Sequence, residues 1–464
     1  MNMRSCSPES DSGRRAAGCT FHLAAAAALL IVAPAWAQPS FTPLGDLPGG
    51  SAHSEAWGVS ADGNTVVGAS IISGNVLFGG TYAAFAWTAQ TGITDIYHLE
   101  IIGSICRAYA ANANGSVIVG SADYGVISPT QIVAFIWTEE TGTVEIGDLP
   151  GGASGSPRSY ARGVSADGTI IAGQGESDSG NDAFRYTTAD DVFLGLGDLA
   201  GGDFSSSGFG ISADGSTIVG SSASASGVQA FRWNASQGIV GLGYLPTAPG
   251  ITPFSEAYAA SANGSVIVGL SRSLASGNSG WEAFRWTQAS GMMGLGDLPG
   301  GAVLSAAYAT TPNGAIVVGR AGVQGNCSPF GCQTAGRPFI WDAQHGLRDL
   351  TVVLTDLGVN LSGWELTEAR GISANGHVIV GTGRNPAGNV EAWRADLGAP
   401  PIPIGGDFDA DGDIDLQDYA ALPACLTGPN AGPPTPSCVA FDFEPDDDVD
   451  LRDVAAFANV FTGS

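Results

Sequence analysis

The sequence has 464 residues, enough for two or three domains, and 44 acidic residues outnumber 17 basic ones to give a formal net charge of −27. A field of this sign repels nucleic acids and anionic membrane surfaces, which excludes both as partners, and it favours divalent cations. After residue 37 no stretch approaches the roughly 20 apolar residues of a membrane-spanning helix, so no transmembrane segment is predicted.

The N-terminus has the pattern of a secretory signal peptide. Three arginines precede an apolar run over residues 23–32, and "AWA" at 35–37 fits an A-x-A cleavage site. We therefore predict that residues 1–37 are removed and that the mature protein is secreted, to the extracellular space or the cell surface.

A phrase of the form S-A-D/N-G recurs along the chain, and its glycine marks each copy. A spacing of about 50 residues in a glycine-rich chain of short strands favours β-propeller blades over helical solenoids. The markers are Gly63, Gly115, Gly168, Gly215, Gly264, Gly314 and Gly376.

Each copy is interpreted as four short strands. In the first copy, "EAWGVS" and "TVVGAS" predict two strands, and the Asp-Gly between them predicts a two-residue type I′ turn. The third strand, "AFAWT", places an aromatic pair two residues apart on one face, which predicts packing between neighbouring sheets rather than contact with a cofactor. The "GI-x-x-LGDL" stretches, as in "GTVEIGDLP" and "GMMGLGDLP", predict the fourth strand.

The seventh copy lacks a fourth strand, whereas "SFTPLGDLPGG" at 40–50 precedes the first marker with no strands of its own. Pairing the two ends of the chain would remove the exposed sheet edges of an open array. We therefore predict an all-β, seven-bladed propeller over residues 38–398, with four-stranded blades and an N-terminal strand that closes the last blade.

The repeated unit "LGDLPGG…AxGVSADG…VVG…AFxW" resembles the bacterial extracellular repeats of the HAF family, and the resemblance covers residues 38–398. It implies export and carries little further information about function.

The first strand of each copy has a tiny residue seven positions before the marker, and the flanking side chains are large or variable. If this strand is innermost, alternation places the flanking side chains on the face opposite the tiny residue. They either fill space between blades or rim the central channel as a carbohydrate-binding or protein-binding surface. The candidate ligand-binding residues are Glu55, Trp57, Arg107, Tyr109, Tyr160, Arg162, Phe209, Glu256, Tyr258, Tyr308, Glu368 and Arg370.

The connections between second and third strands are expected to span 9 to 19 residues, which favours binding at that end of the ring. In an exported chain, Cys327–Cys332 and Cys425–Cys438 are expected disulfides. The first would pin a long loop, for binding or for simple rigidity. Cys106 is then expected to be a buried, inert thiol.

After a Pro/Gly linker at 399–405, residues 406–464 have a different composition. "DFDADGDIDLQD" at 407–418 fits a twelve-residue EF-hand-type calcium loop, and "DFEPDDDVDLRD" at 442–453 repeats the frame. Two Ca²⁺ sites are predicted, the alternative being a solvated acidic run. The candidate ligands are Asp407, Asp409, Asp411, Asp413, Asp415, Asp418, Asp442, Glu444, Asp446, Asp448, Asp450 and Asp453.

A short helix is expected after each calcium loop, and two such units in tandem resemble a type I dockerin domain. The resemblance implies calcium-dependent attachment to a cohesin-like or other cell-surface protein.

The sequence thus favours a secreted, non-catalytic binding or surface-assembly protein, because it contains no nucleophile elbow, phosphate loop or metal-spaced histidines. The alternative is an enzyme acting on extracellular polysaccharide. Glu55, Glu256 and Glu368 share one position of the repeat, and two of them would have to approach within about 5–9.5 Å for glycosidase chemistry. A structural filler of the cell envelope is a third hypothesis.

Overall fold

The structure is a computed structural model that describes residues 38–398 and, further on, the positions 422, 423, 425, 426, 438, 441, 449, 453 and 454. Eight short gaps lie within the first range, at 75–79, 126–130, 153–156, 278–279, 301–302, 324–326, 329–330 and 333–334. The described part of 38–398 is nearly all β, with thirty strands and one α-helix. None of the described helices is long and apolar enough to span a membrane.

The chain begins with β1 (Ser40–Pro43) and continues in antiparallel groups of four strands, as the repeats predict. Within a group the strands pair in chain order, and one parallel residue pair, Tyr82 with Ile105, joins the first two groups. The next sixteen strands are β2 (Ser54–Val59), β3 (Val66–Ser73), β4 (Thr81–Thr88), β5 (Gly92–Tyr97), β6 (Ile105–Ala111), β7 (Val117–Asp123), β8 (Ile132–Thr138), β9 (Gly142–Gly147), β10 (Tyr160–Val164), β11 (Ile170–Ser177), β12 (Gly180–Thr187), β13 (Val192–Gly195), β14 (Ser206–Ile211), β15 (Ile218–Ser224), β16 (Gly227–Asn234) and β17 (Gly238–Gly243).

The rest of the chain repeats this order, with a small hairpin and a helix inserted. The elements are β18 (Ser255–Ala260), β19 (Val266–Ser271), β20 (Glu282–Thr287), β21 (Gly291–Gly296), β22 (Ala306–Thr310), β23 (Val317–Val323), β24 (Cys327–Ser328), β25 (Gly331–Cys332), β26 (Ala335–Asp342), β27 (Gly346–Asp349), α1 (Leu350–Asp356), β28 (Glu365–Ile372), β29 (Val378–Arg384) and β30 (Val390–Asp396).

The two ends of this strand-rich region meet in one sheet. β1 pairs antiparallel with β30, completing a sheet of order β1-β30-β29-β28, and the predicted closing strand is confirmed. The amide of Gly45 also donates to the carboxylate of Glu391, and the amide of Ala392 donates to the hydroxyl of Ser54. The N-terminal segment therefore supplies hydrogen bonds that the last strands cannot supply themselves.

The first strand of every group lies innermost, and these strands contact one another around a complete circuit. The contacting pairs are β2–β6, β6–β10, β10–β14, β14–β18, β18–β22, β22–β28 and β28–β2. Buried apolar clusters join each group to the next, and one cluster joins the last group to the first. The architecture is that of a β-propeller.

The repeated "VVG" and "AFxW" phrases form the core between sheets. Phe85 and its counterparts are fully buried, and Trp393 takes the same place in the last group. A Cβ on Gly68 would lie 2.0 Å from the carbonyl oxygen of Glu55 and 2.7 Å from the Phe85 ring. Only glycine leaves room there for the ring and the neighbouring backbone.

The turn at the marker differs from the predicted type I′ turn. Gly63 has a φ of +74°, but Asp62 does not share a positive φ, so the two-residue prediction is wrong. Instead the amide of Ser60 donates to the carbonyl of Thr65 around a wider loop. The Ser60 hydroxyl accepts from the Thr65 amide and donates to Asp62, because short polar side chains replace missing backbone partners in such loops.

Two further details depart from the sequence predictions. Five of the seven connections between second and third strands are shorter than the predicted 9 to 19 residues: two residues each in β11–β12 and β15–β16, five in β29–β30, seven in β3–β4 and eight in β7–β8. The prediction is wrong for these five because the strands extend further than expected. Helix α1 was not predicted. Asp349 ends β27 and also caps the helix by accepting from the amide of Thr351, and Leu350 and Leu354 are buried in the adjoining core.

Candidate functional site

The candidate residues on the inner strands lie where the alternation predicted. In β2, Ala56 is buried between sheets, whereas Glu55 and Trp57 are half-buried on the other face, which borders the channel. All twelve candidate residues are half-buried in the same way. Because β2 runs toward the marker turn, Glu55 is nearer the opposite end of the channel, which we call the mouth.

Six positions before each marker, the large side chains touch one another around the channel. Each one contacts its counterparts in both neighbouring groups, as expected of side chains that fill space between blades and also of side chains that rim the channel. We call this set the aromatic–arginine ring. It consists of Trp57, Tyr109, Arg162, Phe209, Tyr258, Tyr308 and Arg370.

The two arginines complete the aromatic–arginine ring by cation–π contacts. The guanidinium of Arg370 lies 4.6 Å from the ring centroid of Trp57 and 4.2 Å from that of Tyr308. That of Arg162 lies 4.8 Å from Tyr109 and 5.9 Å from Phe209. Desolvated contacts of this kind stabilise by about 2 kcal/mol, so both cations are held in place.

The next layer toward the mouth carries the acidic candidates, and each carboxylate has a partner close by on its own strand or just before it. Glu368 pairs with Arg370 at 2.9 Å. Glu256 accepts a 2.6 Å hydrogen bond from the hydroxyl of Tyr258. Glu55 lies 3.1 Å from the Nε2 of His53. The charges that would be costly in a dry interior are therefore paired.

These contacts shift the pKa values of Glu55 and Tyr258. Burial alone would raise the pKa of Glu55, but the hydrogen bond and charge of His53, helped by Arg107 and Arg370, lower it overall. Burial, with the carboxylate of Glu256, raises the pKa of Tyr258. At neutral pH the Glu55 carboxylate is thus ionised and the Tyr258 phenol is protonated.

Four hydrogen-bond donors in these layers have no partner among the described residues. They are the indole nitrogen of Trp57 and the Nε atoms of Arg107, Arg162 and Arg370. Buried donors are nearly always satisfied, so these N–H groups are suited to donate hydrogen bonds to the oxygen of a ligand or of water.

The other end of the channel is mainly apolar. A cavity of about 200 Å³ is lined there by small and aliphatic side chains such as Val59, Ile211 and Ile372. Backbone hydrogen bonds link the marker turns around it, for example from the amide of Ala113 to the carbonyl of Ala166. Apart from Asn112 and Thr310, the described side chains that line this end are apolar.

His53 was missed by the sequence analysis, which treated the histidines as scattered. It is buried, and it packs edge-to-face on Tyr82 at 5.8 Å. The available signal was its position two residues before Glu55, since alternate residues of a strand share a face.

Most of the predicted C-terminal site lies outside the described residues, including every calcium ligand except Asp453. Asp453 is buried in a helical segment. No cluster of histidine, cysteine and acidic side chains suited to a metal occurs in the part of the chain that the structure describes. The two Ca²⁺ sites therefore stay predictions.

The cysteines are described in part. Cys425 and Cys438 form a disulfide, and Cys106 is a free, buried thiol whose pKa burial raises to about 12. Cys327 and Cys332 are register partners in the β24–β25 hairpin. Their side chains lie outside the described part, so their disulfide stays a prediction.

No family model matches this chain, and no curated protein is significantly similar to it. Among solved structures, it is similar to TolB from Acinetobacter baumannii, with 13% identity, a TM-score of 0.41, and coverage of 62% of this chain and 63% of that one, which is less than two thirds. It is also similar to oligogalacturonate lyase from Vibrio parahaemolyticus, with 9% identity, a TM-score of 0.44, and coverage of 79% and 98%.

A third similar structure is the β-propeller domain of the Trilobed protease from Pyrococcus furiosus, with 10% identity, a TM-score of 0.42, and coverage of 75% and 98%. Likenesses at this level carry no inference about what the chain binds or catalyses.

Proposed function

We propose that this chain is a secreted, non-catalytic binding or surface-assembly protein. A seven-bladed HAF-repeat propeller presents the mouth of its channel to an extracellular carbohydrate. A dockerin-like module with two Ca²⁺ sites, over residues 406–464, attaches the protein to a cohesin-like or cell-surface partner.

The aromatic–arginine ring and its unpartnered donors are the observation that carries the carbohydrate site. Sugars offer apolar C–H faces to aromatic rings and hydroxyl oxygens to fixed donors, and binding sites combine such surfaces with a few placed polar groups. Trp57 supplies both a ring and a donor. The carboxylates of Glu55, Glu256 and Glu368 add acceptors for sugar hydroxyls.

The circuit of inner strands supports the proposal of seven blades, and so does the aromatic–arginine ring, which takes one side chain from each repeat and closes on itself. Secretion rests on the predicted signal peptide. The Cys425–Cys438 disulfide supports it, because disulfides persist mainly in oxidising compartments.

The second candidate is a polysaccharide-active enzyme, and the shared layer of three carboxylates is the observation that favours it. The partners of those carboxylates count against it. Glu55 has a lowered pKa, which suits a base and not a proton donor, and Glu256 and Glu368 are each bound to a neighbouring side chain.

A glycan array probed with the full mature chain, with and without calcium, tests the binding function. We expect retention of at least one extracellular polysaccharide, and Trp57→Ala should weaken that binding by about tenfold or more, the size of a lost stacking contact. Trp281→Ala is the matched control, since Trp281 is 38% exposed and belongs to neither channel layer. Equal binding by both variants and the parent would refute the channel site.

The same preparation distinguishes a non-catalytic binding protein from a polysaccharide-active enzyme. Release of new reducing or unsaturated ends from a retained glycan, abolished by Glu55→Gln or Glu368→Gln, would establish an enzyme.

For the C-terminal module, calcium titration should raise the melting temperature of the full chain, and Asp407→Ala together with Asp418→Ala should remove most of that rise.

A further inference from the structure

A second groove lies on the side of the marker turns, away from the mouth. It has a volume of about 1070 Å³ and runs from β12 and β13 across β16 to the turn that follows β18. It shares no residue with the aromatic–arginine ring. Its position makes it independent of the proposed carbohydrate site.

The charge of this groove opposes that of the protein. Among the described residues that line it, Arg185 and Arg232 carry the only charges, and no carboxylate is present. The adjacent Asp214 is engaged by the hydroxyl of Ser212 and the amide of Ser216. In a chain of net charge −27, a surface with two cations and no lining acid is a local field that attracts anions.

Arg232 is fixed but has an unused donor. Its guanidinium lies 5.3 Å from the ring centroid of Trp286, and one terminal nitrogen donates to the amide oxygens of Gln237 and Gln288 at 3.2 and 3.1 Å. Its Nε is buried and has no partner among the described residues. A planar fork held in this way is preorganised for an oxyanion.

Arg285 occupies the same strand position in the following group, and its environment shows what differs at Arg232. The Nε of Arg285 donates to the carbonyl of Gly314 at 3.1 Å, so it ties two neighbouring groups together. Arg285 does not line the groove. The same residue type is thus structural in one copy and has a free donor in the other.

A groove near the corresponding turns of the first two groups has the opposite character. It measures about 720 Å³, has Ala86 in the position of the arginine, and is lined by Glu139 and Glu140. The positive groove is therefore a property of particular copies and not of the repeat.

We propose that the groove lined by Arg185 and Arg232, which we call the arginine groove, binds an anionic glycan, that is, a saccharide chain bearing sulfate or carboxylate groups. Arg185 and Arg232 meet the anionic groups, and the side-chain amides and hydroxyls of Asn234, Asn263 and Ser265 meet sugar hydroxyls. A peptide of the same charge would need pockets for alternate side chains or a free sheet edge, and the groove is built mainly from polar side chains.

Calorimetric titration of the full mature chain tests this proposal at fixed calcium and moderate salt. The probes are short dextran sulfate fragments, neutral dextran fragments of equal length, and sodium sulfate. We expect the sulfated fragment to bind, the neutral fragment to bind at least about tenfold more weakly, and the Arg185→Gln/Arg232→Gln variant to lose about tenfold or more in affinity. Sulfate alone should compete only at high concentration.

Arg285→Gln/Arg394→Gln is the matched control, since it removes the same charge from the same strand position at two arginines that do not themselves line the groove. Melting curves establish that all variants fold. Equal loss in the control, or equal affinity for sulfated and neutral dextran, would overturn the proposal. Trp57→Ala should leave this binding unchanged, so the outcome is independent of the channel site.

Discussion

The marker turns and the mouth of the channel use the same repeated backbone for different ends. At the turns the copies behave alike. The hydroxyls of Ser165, Ser212 and Ser373 each donate to an acidic or amide side chain two residues on, as Ser60 does. At the mouth, equivalent positions hold acids, arginine, tyrosine, serine and alanine. Positions at which the copies share the same kind of side chain form the framework of the propeller. Positions at which the side chains differ between copies form the surface at the mouth.

Removing the closing strand should break the framework most severely. Deletion of residues 38–45 strips β30 of one of its two strand partners and removes Leu44 and Phe41 from the adjoining cores, which costs about 4 kcal/mol or more in the free energy of unfolding. Thermal melting should become broad and start at a lower temperature. Phe41→Ala, which keeps the strand, should melt cooperatively. A truncated form that melts like the parent would contradict ring closure.

A methyl group in the core between sheets should have the next largest effect. In Gly68→Ala the added carbon meets a backbone oxygen at 2.0 Å, so the sheet must shift, at a cost of about 3 kcal/mol. Gly163→Ala meets its nearest atom, a side-chain methyl of Ile211, at 3.2 Å and should cost about 1 kcal/mol or less. Urea unfolding of both variants measures the difference, and equal losses would show that the packing of Phe85 on Gly68 is not the cause.

A substitution in the aromatic–arginine ring should cost less than one in the framework. Arg370→Gln removes the ion pair with Glu368 and two cation–π contacts, which should lower the free energy of unfolding by about 2 kcal/mol. Arg384→Gln is the control, because Arg384 is exposed. If the two variants lose the same stability in urea, the ring contributes binding geometry and little else.

The smallest effect concerns pH. Because the folded state lowers the pKa of Glu55, its contribution is fully present above the ordinary carboxylate pKa and is lost as pH falls through the lowered value. His53→Asn should reduce this acid sensitivity by a fraction of a kcal/mol. Parallel urea titrations at neutral and acidic pH measure it. An unchanged slope of stability against pH would rule out the His53–Glu55 contact as its source.

The sequence predicted the repeated strands, the closing strand and the face of each channel residue, because these follow from local periodicity. It could not predict that Arg370 lies between Trp57 and Tyr308, since those rings come from neighbouring groups. The turn prediction failed because Asp-Gly was considered without Ser60, whose hydroxyl stabilises a wider loop. Helix α1 was missed because Asp349 both ends a strand and begins the helix.

The series of backbone hydrogen bonds that links the marker turns is interrupted at Pro312, which makes this the weak joint of the series. Its carbonyl accepts from the amide of Ala262, but proline has no N–H with which to pass the series on to Ala374. The apolar core between the β22 and β28 groups, to which α1 contributes Leu350 and Leu354, helps to hold this joint. Local opening of the closed circuit of groups should begin between the β22 and β28 groups. An insertion should be best tolerated there, since helix α1 is already inserted between β27 and β28.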